Sequence, residues 1–83
     1  MDYKKLHDLL EFIAKGLVND PESVKVDSSI EENTVHLKLS VATEDIGRVI
    51  GKQGRVANSI RHLLRAAASR EGMQVIMDVV EPE

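Results

Sequence analysis

The chain is 83 residues long, 42 % hydrophobic and 30 % charged, a size and composition that suit one globular domain with a modest core and leave no room for a second. It has no cysteine, which excludes a disulfide frame and a thiolate metal centre; no apolar run nears the ~20 residues that span a bilayer, and the start Met1-Asp2-Tyr3-Lys4-Lys5 carries no apolar signal core, so a cytoplasmic location is expected. The net charge of −3 is unevenly spread: residues 46–70 hold six basic residues and no acidic one, while the rest of the chain holds five basic and fourteen acidic, so a locally basic face can still attract phosphate.

From Asp2 to Asn19, Leu6, Leu9, Leu10, Ile13 and Leu17 recur at helical spacing and predict a first helix with one buried stripe. Asp20-Pro21 is expected to end it, because the residue before proline leaves the helical region. Between Glu22 and Ile30, Val24, Val26 and Ile30 alternate with polar residues as in a strand; Ser28 falls on the apolar side, which points to a short, bulged or edge strand. Glu31-Glu32-Asn33 has hairpin length. Thr34 to Ala42 then alternates cleanly, Val35, Leu37, Leu39 and Val41 inward, and should pair antiparallel with the preceding strand. Thr43 is placed to cap a short helix from Ile46 to Ile50, with Glu44 and Asp45 at its positive end. A longer helix to Arg70 is expected to bury Val56, Ile60, Leu63, Leu64 and Ala67, and to end at Gly72. A last strand runs from Met73 to Val80, with apolar residues on both faces. About thirty residues separate the second and third strands, enough for a right-handed crossover and a parallel pair. The expected fold class is α+β: three helices on one face of a three-stranded mixed sheet. Glu81-Pro82-Glu83 reads as a tail.

Between the two later helices lies Gly51-Lys52-Gln53-Gly54. A bare Gly-x-x-Gly arises by chance about once in 200 positions at ~7 % glycine and is by default a plain interhelical turn. Its setting says more. Two glycines let the backbone take positive φ and approach a ligand closely. The following helix opens with unpaired N–H groups and partial positive charge, which suit a phosphate. Arg48, Lys52 and Arg55 add full charges there. Arg61, Arg65 and Arg70 fall late in the helix, where they either stabilise its negative end or extend the basic face.

Val49-Ile50-Gly51-Lys52-Gln53-Gly54 followed by Ile60 resembles the signature of a KH domain, whose Gly-x-x-Gly loop clamps four nucleotides of backbone. The helix-strand-strand-helix-helix-strand order is similar to the type II KH fold over nearly the whole chain, and a KH domain without other modules resembles the small bacterial KhpA family. The resemblance implies RNA binding, a role as RNA chaperone or post-transcriptional regulator, pairing with itself or with a Jag-type KH protein (KhpB), and a link to cell elongation and envelope homeostasis. It implies a site of Ile46, Gly47, Arg48, Val49, Ile50, Gly51, Lys52, Gln53, Gly54, Arg55 and Ile60, in which Ile46, Val49, Ile50 and Ile60 form an apolar floor for bases. Ala57 departs from the larger aliphatic residue common in the family, which implies either a shallower floor or closer helix packing.

Other chemistries find little support. Gly47 to Lys52 falls one residue short of a P-loop and has Gln53 where Ser or Thr belongs. His7, His36 and His62 lack ligand spacing. Ser59 and His62 lie one turn apart without an orienting acid. No metal, cofactor or small-molecule substrate is expected, and an enzyme is disfavoured. Tyr3 and Phe12 are the only aromatics, too few for a stacking platform. The competing expectation is a protein-interaction module, in which the aliphatic groove or the last strand docks another subunit.

Overall fold

The computed structural model describes residues 3–80; the expected tail at 81–83 and the first turn of the expected helix at Asp2 lie outside the described residues. Helix α1 (Lys4–Leu17) is followed by strands β1 (Lys25–Glu31) and β2 (Thr34–Ser40), helices α2 (Ile46–Ile50) and α3 (Arg55–Ser69), and strand β3 (Gln74–Val80). The sheet order is β1-β2-β3, with β1 antiparallel and β3 parallel to β2. The fold is therefore α+β on a mixed sheet, as the periodicities predict.

The core lies between the inner face of the sheet and the helices. Val35, Leu37 and Leu39 of β2 and Val75 and Met77 of β3 meet Leu6, Leu10 and Ala14 of α1, Val49 of α2, and Ile60, Leu64 and Ala68 of α3. Alternation puts His36, Lys38, Ile76 and Asp78 on the other face, which no helix covers. The apolar residues expected on both faces of β3 divide into Val75, Met77 and Val79 inside and Ile76 and Val80 outside.

Several boundaries and burials differ from expectation. Helix α1 stops at Leu17, before Asp20-Pro21, because Val18 is already extended (ψ 159°). Pro21 to Ser23 then form a 3-10 turn, fastened by Ser23 Oγ donating to Asp20 Oδ2 at 2.7 Å, and β1 starts later than expected. Ser28 on its apolar side reflects an edge position: the strand keeps an unbroken seven-pair register with β2 and has neither bulge nor shortening. Its hydroxyl meets His7 Nδ1 at 3.2 Å, and His7 Nε2 meets Glu11 at 3.3 Å, so this histidine ties α1 to the sheet edge. Along α1 the inward row is Leu6-Leu10-Ala14, spaced by four, and Leu17 is left exposed in the last turn. Along α3 the inward row is Ala57-Ile60-Leu64-Ala68; Leu63, expected inside, is 57 % exposed. Ala57 and Ala68 are invisible to a pattern that counts only large residues, yet their small side chains let α3 sit close to its neighbours.

Gly72 ends α3 as expected, at φ 71°. Its N–H donates to Ser69 O at 3.1 Å and that of Met73 to Ala68 O at 3.0 Å, the pair of bonds that defines a Schellman stop.

Candidate nucleic-acid interface

Helix α2, the glycine loop and the start of α3 form one exposed corner. The loop leaves α2 at Gly51 (φ 77°, ψ 175°), whose N–H donates to Gly47 O at 2.9 Å. It then makes a 3-10 turn at Lys52–Gly54, closed by Gly54 N–H to Gly51 O at 3.2 Å. Gln53 (φ 58°, ψ 26°) and Gly54 (φ 76°, ψ 11°) are both left-handed before Arg55 begins α3.

The two glycines are needed for different reasons. A Cβ on Gly51 would press on Val56 Cγ2 and lie 2.8 Å from both Val56 N and Val56 Cβ, so the loop and the first turn of α3 touch across a glycine that admits no side chain. A Cβ on Gly54 would find space, its nearest neighbour being Asn58 Nδ2 at 3.9 Å, but φ of 76° still favours glycine. Gly47 is an ordinary helical residue with open space around it; it bares the outer surface of α2 without a conformational need.

No side chain caps the N-terminus of α3. The first of its N–H groups, that of Arg55, donates to Lys52 O within the 3-10 turn, so the loop backbone itself closes the start of the helix. Lys52 and Gln53 are exposed, and Lys52 forms no salt bridge among the described residues. Arg55 is exposed, and its Nη2 lies 3.4 Å from Gln53 Oε1.

Arg48 is placed differently. Asp45, fully buried, forms a salt bridge with Arg48, Oδ1 to Nε 3.1 Å, while half of the arginine side chain stays exposed. The same carboxylate accepts the backbone N–H of Asn19 on Oδ1 and of Asp20 on Oδ2, each at 3.1 Å. It thus fastens the segment after α1 to the front of α2. Thr43 does not cap: residues Thr43–Asp45 form a 3-10 turn with no side-chain cap, and Asp45 acts through these distant contacts instead of through a helix dipole. Asp45→Asn is expected to lose about 1–2 kcal/mol, since an amide group replaces one of two acceptor oxygens facing backbone donors; urea unfolding measures it, with Glu44→Gln as the exposed control.

The expected apolar floor is only partly a surface. Val49 and Ile60 are 0 % and 3 % exposed, so they belong to the core behind it. Ile46 and Ile50, spaced by four on α2, are half-buried and present apolar surface, joined by Val56. The spacing of Val56 predicts a core position, and the structure leaves it half-buried. Ala57 is buried and not part of the floor.

Arg61, one of three arginines with two expected roles, is half-buried and structurally engaged. Its Nε donates to the Met77 carbonyl of β3 at 2.9 Å and its Nη1 to Asn58 Oδ1 at 2.9 Å. Arg65 and Arg70 are exposed, and among the described residues neither side chain has a hydrogen-bond or salt-bridge partner. Among the described residues there is no cluster of three or more metal-ligating side chains, and no helix is long and apolar enough to cross a membrane.

Comparison with known proteins places the chain in a family. A sequence model described as "KhpA/KhpB, KH domain" matches residues 7–79. The chain is similar to the RNA-binding protein KhpA of Clostridium perfringens, 44 % identical over 75 residues that make up 90 % of this chain and 100 % of that one. It is similar to RNA-binding protein KhpA of Clostridium acetobutylicum, 45 % identical with the same coverage, and to that of Listeria monocytogenes, 40 % identical over 92 % of this chain and all of the relative.

Proposed function

Because the chain belongs to the KhpA/KhpB KH-domain family, we propose that it binds single-stranded RNA at the corner formed by α2, the Gly51–Gly54 loop and α3. The observation that carries this reading is the loop itself: two left-handed residues and two glycines bare the backbone in front of an uncapped helix N-terminus, with Lys52 free to meet a phosphate. In this reading the loop lies along the sugar-phosphate chain. Lys52, Gln53 and Arg55 meet phosphates at the positive end of α3. Arg48 contributes what its partner Asp45 leaves available. Ile46, Ile50 and Val56 carry the bases, with Val49 and Ile60 supporting them from behind and Gly47 keeping the outer face of α2 clear. The role is binding, not catalysis.

The finer biology follows the same family. The protein acts as an RNA chaperone or post-transcriptional regulator in the cytoplasm, paired with itself or with a Jag-type KH protein, and influences cell elongation and the envelope. A family described by two members, KhpA and KhpB, supports a KH partner, and a four-nucleotide site gains useful affinity when a second domain is joined to it. Phe12, 77 % exposed, Leu63 and Ile76 are large apolar side chains facing solvent, which favours a docked partner and keeps the protein-interaction reading in play beside the RNA reading.

Fluorescence anisotropy with short single-stranded RNA separates the two. With two to four phosphates neutralised, the slope of log K against log salt should be about −1.4 to −2.8. A slope near −6 would place binding on a broad basic surface instead of this corner, and no binding at low salt would leave the protein-interaction reading alone.

A further inference from the structure

Asn58 stands one turn into α3, exposed, three residues before Arg61. A carboxamide has a donor end and an acceptor end, and which way it faces decides what it recognises. Here the orientation follows from chemistry. Guanidinium has only donors, so the amide oxygen must face Arg61 Nη1, which it meets at 2.9 Å. Arg61 is itself held by the Met77 carbonyl at 2.9 Å and is half-buried, so it is fixed from the sheet side. The amide nitrogen is then turned the other way, toward the glycine loop: Nδ2 lies 3.9 Å from where a side chain on Gly54 would begin. No acceptor among the described residues takes its hydrogens.

We infer that Asn58 is a further contact residue for the bound strand, presenting its amide N–H groups to an acceptor oxygen of the nucleotide at Gly54, and that Arg61 is its positioning residue. The inference rests on the RNA reading and deepens it. A free asparagine can turn both ends toward the paired donor and acceptor of adenine; one whose oxygen is drawn to Arg61 leads with its nitrogen. It favours a phosphate or sugar oxygen, or the keto oxygen of a base, and meets an amino group unfavourably. Arg61, often counted as free positive charge on such a face, acts here through its neighbour.

The test uses the intact protein and eight-nucleotide oligouridine and oligocytidine RNA. Asn58→Ala, an exposed change that leaves the fold intact by circular dichroism, is expected to weaken oligouridine binding about three- to tenfold, the worth of one neutral hydrogen bond. Equal losses for the two RNAs identify an oxygen common to both, in the backbone or at the pyrimidine C2 keto group; a loss confined to oligouridine identifies the C4 keto group, which cytosine replaces with an amino group. Arg61→Met is expected to weaken binding in the wild-type background, to add nothing in the Asn58→Ala background, and to leave the salt slope unchanged. Binding by Asn58→Ala equal to wild type overturns the inference. So does an Arg61→Met loss of the same size in both backgrounds with a slope reduced by about 0.7, which would make Arg61 a direct phosphate contact. Failure of the wild type to bind either RNA would instead defeat the RNA reading itself.

Discussion

Changing Lys52 and Gln53 together to Asp is expected to abolish binding of short single-stranded RNA while leaving the far-ultraviolet circular dichroism and the unfolding midpoint close to wild type. Both side chains are exposed and neither is part of the core, so the structural cost is small. The electrostatic cost is large. The pair moves from +1 to −2 at the point where a phosphate would sit, and the first turn of α3 then faces two carboxylates, which suit its positive end and take the place of the ligand. The loss should exceed a hundredfold, which corresponds to more than about 2.7 kcal/mol. Undiminished affinity in this variant would remove the loop from the binding site, whatever the protein binds elsewhere.

The second large effect concerns stability. Gly51→Ala is expected to destabilise the fold by about 3 kcal/mol, combining left-handed strain of ~1–2 kcal/mol with overpacking of ~1–3 kcal/mol. The overpacking is specific: the new methyl would press on the side chain and backbone nitrogen of Val56, which are held in place by α3. In a domain of this size the midpoint should fall by roughly 12–24 °C. Gly54→Ala carries the strain without the clash and should lose only ~1–2 kcal/mol. Calorimetry of the two variants checks the ordering; equal losses would mean that Val56 moves aside at no cost. The comparison also separates two meanings of a glycine pair: one glycine makes room for the protein's own helix, the other leaves room for something outside it.

How much of this could be read from the chain alone depends on distance along it. The alternation of Val35, Leu37 and Leu39, the Leu6-Leu10 spacing and the glycine pair after Ile46-Gly47-Arg48-Val49-Ile50 are local, and they led to the right elements in the right order. Depth was harder. Val49 and Ile50 are adjacent aliphatic residues on a five-residue helix, yet one is sealed in the core and the other presents surface; a single turn has no room for periodicity to choose between them. Leu63 and Leu64 pose the same problem, and there the alanines at 57 and 68 mark the inward row better than the leucines do. Least legible were polar contacts across long separations. Asp45 looked like a helix-dipole residue because its neighbours in sequence made that role available; its partners Asn19 and Asp20 lie 26 and 25 residues away. Asn58 gave no signal at all, since its meaning comes from an arginine whose own anchor is on β3.

The Asp45 clamp carries a mechanical consequence. Asn19 and Asp20 lie between elements, and their N–H groups belong to no helix or strand bond, a setting in which amide protons ordinarily exchange with solvent quickly. Tied to a sealed carboxylate that also grips Arg48, they open only when the front of α2 opens. Anything that stiffens α2 by occupying the neighbouring loop should therefore slow deuterium uptake at these two amides, although neither would touch it, and the segment after α1 becomes a remote gauge of whether the loop is filled.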